Sequence, residues 1–329
     1  MIMKRIQWIF VIAALFLLVV AGKKQPVTFF MVGDSTMANK DVSEGKPERG
    51  WGMMFANFFT EDVVVDNHAR NGRSSKSFID EGLWQNVLDK IKPGDYVFIQ
   101  FGHNDEKNDP HRHTDPGTTF DENLRRMVKE AKAKGANPVL LNSVVRRIFN
   151  DSKTAVADDD LRANSSSTLQ EGDSLVDTHG AYLLSPRRVA QEMNVPFVDA
   201  NAVTHRLEQG LGPVKSKSLH VWYLPGEHPA LPEGRQDNTH YNIHGAYTVA
   251  GLLAKEIVEA VPALKKYYRT YDLTVAADGS AQYMNLQDAV DAAPEGKRTT
   301  ILLGPGKWTK PVVPKGKKIA IKKREGAEF

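Results

Sequence analysis

The chain has 329 residues, 41% of them hydrophobic and 25% charged, enough for one large globular domain and part of another. A formal net charge of +3 gives no case for a nucleic-acid binder. The absence of cysteine excludes disulfides, cysteine nucleophiles and thiolate metal sites.

Lys4 and Arg5 precede an apolar stretch from about Trp8 to Val20, followed by the small residues Ala21 and Gly22. This pattern reads as a secretory signal peptide over residues 1–22, implying a secreted or periplasmic protein with no membrane attachment after cleavage. The run Val27-Thr28-Phe29-Phe30-Met31-Val32 then predicts a buried strand that stops at Gly33-Asp34-Ser35-Thr36. Further strands are expected over residues 63–66, 96–101, 138–142 and 196–198. Helices are expected over 51–60, 83–91, 119–134, 181–193 and 242–261. Lys134-Gly135 followed by Pro138 closes the third of these. Strict alternation of strand and helix predicts a parallel sheet with helices on both faces, a three-layer α/β/α sandwich. Residues 150–180, rich in Asp, Ser, Asn and Gly, read as a long surface loop. Within it, Asp158-Asp159-Asp160 reads as a solvated acidic run rather than a calcium site.

Ser35 lies just past the first strand, where α/β sheets carry their chemistry. Far downstream, Asp237 and His240 are spaced to meet on one side of a single turn. A serine, a histidine and an acid that orients it are the parts of acyl-transfer catalysis. Alone, Gly-Asp-Ser-Thr is equally a turn before a helix cap, and Asp-Asn-Thr-His a polar turn; their order in an α/β chain raises their weight. Gly72, without a side chain, could present its N–H to a ligand at close range, and Asn104 offers an amide at the tip of another strand. With the N–H of Ser35 they would supply three donors to an oxyanion. The histidines and aspartate of the loop His103, Asp109, His111 and His113 read as polar sugar-binding surface rather than metal ligands.

Four blocks in order, Gly33-Asp34-Ser35, Gly72, Gly102-His103-Asn104-Asp105 and Asp237-Asn238-Thr239-His240, resemble the SGNH (GDSL-type) hydrolases. Thr36, Asn71-Gly72-Arg73-Ser74-Ser75 and His240-Tyr241-Asn242 resemble the rhamnogalacturonan acetylesterase branch, and the resemblance spans roughly residues 26 to 262. It implies a flavodoxin-like strand order of 2-1-3-4-5. It also implies Ser35 as nucleophile, His240 as base, Asp237 as orienting acid, and Ser35, Gly72 and Asn104 as the oxyanion hole. Arg73 and His103 are expected to contact substrate. The implied activity is removal of O-acetyl groups from pectic polysaccharide without a cofactor. The alternatives are a lipase or thioesterase of the same superfamily and a non-catalytic pectin-binding protein.

Composition shifts after Pro262, dividing an esterase domain over 23–264 from a segment over 265–329. Val275-Ala276-Ala277-Asp278-Gly279-Ser280 and Gln287-Asp288-Ala289-Val290 resemble the opening of a pectin methylesterase, a parallel β-helix enzyme. A β-helix coil buries its inner face against neighbouring coils, so a truncated first coil is expected to be poorly ordered and dispensable to the esterase.

Overall fold

A computed structural model describes residues 25–149 and 173–329. The expected signal peptide and the acidic run Asp158–Asp160 lie outside the described residues. Five parallel strands form the central sheet: β1 (Val27–Gly33), β2 (Val63–Asn67), β3 (Tyr96–Gln100), β4 (Asn137–Leu141) and β5 (Phe197–Val198), in spatial order β2-β1-β3-β4-β5. This is the expected doubly wound order. Phe29 of β1 stands opposite both Val65 of β2 and Tyr96 of β3, which fixes the register.

Side chains alternate across each strand, so one sheet feeds two cores. Phe29, Met31, Phe98, Val139 and Leu141 pack on one face, against α1 (Trp51–Met54) and the long helix α7 (Ile243–Ala260). Phe30, Val32, Val97, Ile99 and Leu140 pack on the other. That face is covered by α2 (Ser75–Asp80), α3 (Leu83–Leu88), α4 (Thr119–Ala133) and α5 (Leu184–Met193). Each such buried side chain contributes about 1.5–3 kcal/mol. The short α2 and the long α6 (Ala200–Lys215) lie where no helix is expected from the sequence.

An antiparallel element sits beside the main sheet. Strand β6 (His220–Tyr223) pairs with β7 (Arg235–Asn242), and β7 pairs with the two residues Glu48–Arg49. The segment Asp237–His240 therefore lies on a strand that runs directly into α7, not on a single helical turn. Asn242 ends the strand and caps the helix, its Oδ1 accepting from Gly245 N at 3.0 Å.

The C-terminal segment is ordered, contrary to the expectation for a lone coil. Strands β8 (Leu273–Val275), β9 (Arg298–Leu303) and β10 (Lys318–Lys323) pair in parallel with β9 central, so the segment holds stacked rungs, consistent with a partial β-helix start, rather than one isolated coil. Helix α8 (Leu286–Ala292) packs on these strands, its Leu286, Ala289 and Val290 sharing a buried cluster with Val275, Ile301 and Leu303. The segment is also anchored to the sandwich. Arg49 Nε donates to Gly279 O at 3.0 Å and Asn57 Nδ2 to Ser280 O at 2.6 Å. Arg324 Nη2 donates to the carbonyls of Ala56 and Phe59.

Candidate active site

The site assembles from the loops that follow β1, β2 and β3 and from the end of β7. After β1 the chain turns sharply: Asp34 O accepts from Ala38 N at 3.1 Å, and Asp34 Oδ1 accepts from Thr36 N at 2.9 Å and Thr36 Oγ1 at 2.8 Å. Thr36 Oγ1 in turn accepts from Gln100 Nε2 at 2.9 Å, and Gln100 Oε1 from Trp51 Nε1 at 2.8 Å. This buried chain of side chains pins the two residues that flank Ser35. It also accounts for a hydroxyl at position 36. Burial pushes the Asp34 carboxyl up, opposed by the two hydrogen bonds from Thr36.

His240 Nε2 stands 2.8 Å from Ser35 Oγ, and His240 Nδ1 stands 2.9 Å from Asp237 Oδ2. On an ideal strand, residues three apart face opposite ways. Here Asp237 Oδ1 accepts from the N–H groups of Thr239 and His240, both at 2.8 Å, which curls the strand and turns the two side chains toward each other. Burial alone would raise the Asp237 carboxyl. The charge and hydrogen bond of His240 and the guanidinium of Arg235 outweigh it and hold Asp237 well below the usual carboxylate range.

Gly72 has φ of +74°, the left-handed region, and a Cβ there would meet nothing within 4 Å. Its backbone shape, rather than crowding, calls for glycine, and its surroundings are open. Two bonds draw this loop to its neighbours. Arg70 N donates to Gly33 O at 2.9 Å, beside the serine turn, and Asn104 Nδ2 donates to Arg73 O at 3.1 Å. The amide nitrogen of Asn104 carries a second hydrogen beyond that bond. Asp105, fully buried, fastens the same loops from beneath. It accepts from Ser75 N, Ser75 Oγ, Gly102 N and Thr114 Oγ1 at 3.0, 2.5, 3.1 and 2.9 Å. Burial raises its pKa to about 7 against the pull of Ser75 and Thr114.

The two residues expected to touch substrate part company. Arg73 sits at the surface beside Gly72, paired with Glu81 at 2.8 Å, in a cleft of about 400 Å³ that Lys76, His111 and Arg112 also line. His103 is not a surface group. Its ring is buried with Nδ1 at 3.0 Å from His179 Nε2, and burial first, then the charge of Arg146, holds it far below the usual histidine range. Packing by the loop that carries His179 removes it from reach of a polymer. Among the described residues, no group of three or more His, Cys, Asp or Glu is arranged to hold a metal ion.

Three further residues border the site and were not singled out in the sequence. Lys40, Glu48 and Arg235 line a cleft of about 350 Å³ together with Asn71. Arg235 had one available signal: it precedes Asp237 by two residues, so on a strand both share a face.

A parallel α/β/α sheet with serine, histidine and aspartate gathered at its carboxyl edge has the architecture of a carboxylic ester hydrolase. The chain belongs to the GDSL-like lipase/acylhydrolase family, which residues 31–242 match. It is 39% identical to the rhamnogalacturonan acetylesterase RhgT of Bacillus subtilis over 74% of this chain and 95% of that protein. It is 31% identical to the probable rhamnogalacturonan acetylesterase YesY of the same organism, over 70% of this chain and 92% of the other. Among solved structures, B. subtilis YxiM superposes with a TM-score of 0.55 at 26% identity, covering 71% of this chain and 56% of YxiM.

Proposed function

We propose that this protein is a secreted serine esterase that removes O-acetyl groups from rhamnogalacturonan or a related pectic polysaccharide. The observation that carries the reading is the hydrogen-bonded line Ser35 Oγ, His240, Asp237, with spacings of 2.8 and 2.9 Å. The identity with RhgT supports the polymer class, and the N-terminal charged-then-apolar pattern supports export.

In this mechanism His240 Nε2 takes the Ser35 proton as Oγ attacks the acetyl carbonyl. Asp237 holds the Nδ1–H tautomer and stabilises the imidazolium that forms. The N–H groups of Ser35 and Gly72 and the side-chain amide of Asn104 donate to the oxyanion. His240 then passes its proton to the departing sugar oxygen, releasing the deacetylated chain. Water, deprotonated by His240, attacks the acetyl-enzyme, and collapse of the second tetrahedral intermediate frees acetate and restores Ser35.

The test is acetate release from acetylated rhamnogalacturonan, acetylated homogalacturonan and acetylated xylan, beside a long-chain lipid ester. The pectic substrates are expected to turn over fastest. A preference for the lipid ester would overturn the polysaccharide assignment, and binding of pectin with no acetate released from any substrate would overturn the esterase reading.

A further inference from the structure

The hydrogen-bonded line does not end at Asp237. Arg235 Nη2 donates at 2.6 Å to Asp237 Oδ2, the same oxygen that faces His240 Nδ1. Arg235 Nη1 donates to Glu48 Oε2, also at 2.6 Å. The other oxygen of Glu48 pairs with Lys40 Nζ at 2.7 Å, and Lys40 donates to Asn71 Oδ1 at 2.7 Å, next to Gly72. Glu48 is held independently by its backbone, since it pairs with Asn242 across the antiparallel ladder. Asp237 Oδ1 is fixed by two N–H groups of its own turn. Arg235 fixes the second oxygen, and so sets the rotation of the carboxylate about its Cβ–Cγ bond.

We propose that Arg235, braced by Glu48, is a positioning residue that locks the Asp237 carboxylate in the orientation needed to align His240 with Ser35. The proposal rests on the serine-esterase reading above. The guanidinium fork suits this task because its planar donors reach two carboxylates at once in fixed directions, which an ammonium cannot do. Its charge has a second effect. A cation on Asp237 Oδ2 weakens the hold of that oxygen on the imidazolium, and Glu48 offsets it. Among the described residues, Asp237, Glu48, Asp34 and His103 each interact electrostatically with His240 from the surrounding elements. Removing the Arg235 cation leaves the imidazolium facing more uncompensated negative charge. Removing the Glu48 charge does the reverse.

Steady-state kinetics with 4-nitrophenyl acetate and with acetylated rhamnogalacturonan, over a pH series, test this in the full-length protein. Arg235→Met is expected to lower kcat at least tenfold with KM within about twofold on both esters. It should also move the acid limb of kcat/KM upward by roughly one pH unit at low salt. Arg235→Lys should recover part of kcat. Glu48→Gln should move the acid limb downward and reduce kcat less. If Arg235→Met does not fold, Arg235→Lys and Glu48→Gln still report both readouts. A rise in KM with kcat retained would make Arg235 a substrate-binding group, and wild-type kcat with an unmoved acid limb would make it a structural one; either overturns the proposal. Ser35→Ala, run alongside, separates the two levels. Hydrolysis that persists in Ser35→Ala removes the serine-esterase reading and this inference with it, whereas Ser35-dependent activity indifferent to Arg235 removes this inference alone.

Discussion

His240 Nε2 lies 2.8 Å from Ser35 Oγ although 205 positions separate the two residues in the chain. Ser35 is presented by the turn after the first strand, His240 by the strand that opens the last helix of the sandwich, and the packing of α7 on the sheet brings them together. Ser35→Ala removes one oxygen at a partly exposed turn, so it leaves no cavity. Acetate release should fall by roughly 10³-fold or more, while the thermal midpoint stays within about 2 °C of wild type. Turnover near wild type in this variant would show that another group is the nucleophile.

Asn104 tests the oxyanion hole. A donor aimed at charge that exists only in the transition state affects kcat and spares KM. Asn104→Ala is expected to lower kcat by about 10²–10³ with little change in KM. A small loss of stability, about 1 kcal/mol, should accompany it, because Arg73 O loses its partner. A raised KM with kcat retained would instead place Asn104 among ground-state sugar contacts.

Asp105 ties together Ser75, Gly102 and Thr114, and once ionised its oxygens can only accept. Above about pH 7, where that carboxyl is ionised, Asp105→Asn turns one of those oxygens into a donor facing donors, and should cost about 2–4 kcal/mol by chemical denaturation. The pH dependence follows from its pKa of about 7, raised by burial above the ordinary carboxylate value. The folded state therefore holds the Asp105 proton more tightly than the unfolded chain does. The stability tied to that proton is fully present below about pH 4 and is lost as pH rises to about 7. The thermal midpoint of Asp105→Asn should accordingly show less decline than wild type between those pH values. Parallel curves for the two proteins would contradict this.

The C-terminal segment is expected to contribute to the stability of the esterase body. Truncation after Leu264 takes away the carbonyl partners of Arg49 and Asn57, the Arg324 donors, and the bond from Thr60 N to Tyr267 O. At about 1 kcal/mol for each of these five bonds, the midpoint should fall by roughly 10–20 °C. Glu48, the brace of Arg235, is the chain neighbour of Arg49, so a fall in kcat should accompany the loss of stability. A truncated protein with unchanged midpoint and turnover would return the segment to the dispensable role expected from sequence.

The sequence by itself determined the sandwich and the place of Ser35 at the edge of its sheet. Apolar runs such as Val27–Val32 and Tyr96–Phe101 mark buried parallel strands without regard to their neighbours, and a polar residue just past such a run falls at the sheet's reactive edge. Local patterns also hold where one helix dominates, as in α4 with its closing Lys134-Gly135. Two helices escaped notice for local reasons. Ser74, which caps α2 together with Ser77, belongs to the polar block Asn71–Ser75, and Gly212 and Pro213 interrupt the pattern of α6. Tertiary structure alone decided the rest. Whether His103 faces sugar or core depends on the loop that buries it against His179, 76 positions away. Arg235 and Glu48, 187 positions apart, meet only through the tertiary fold. The C-terminal segment is ordered because α8 packs on its strands and Arg49 and Asn57 hold its edge. Burial, ion pairing and docking are set by which surfaces come into contact, and no window of sequence contains both partners.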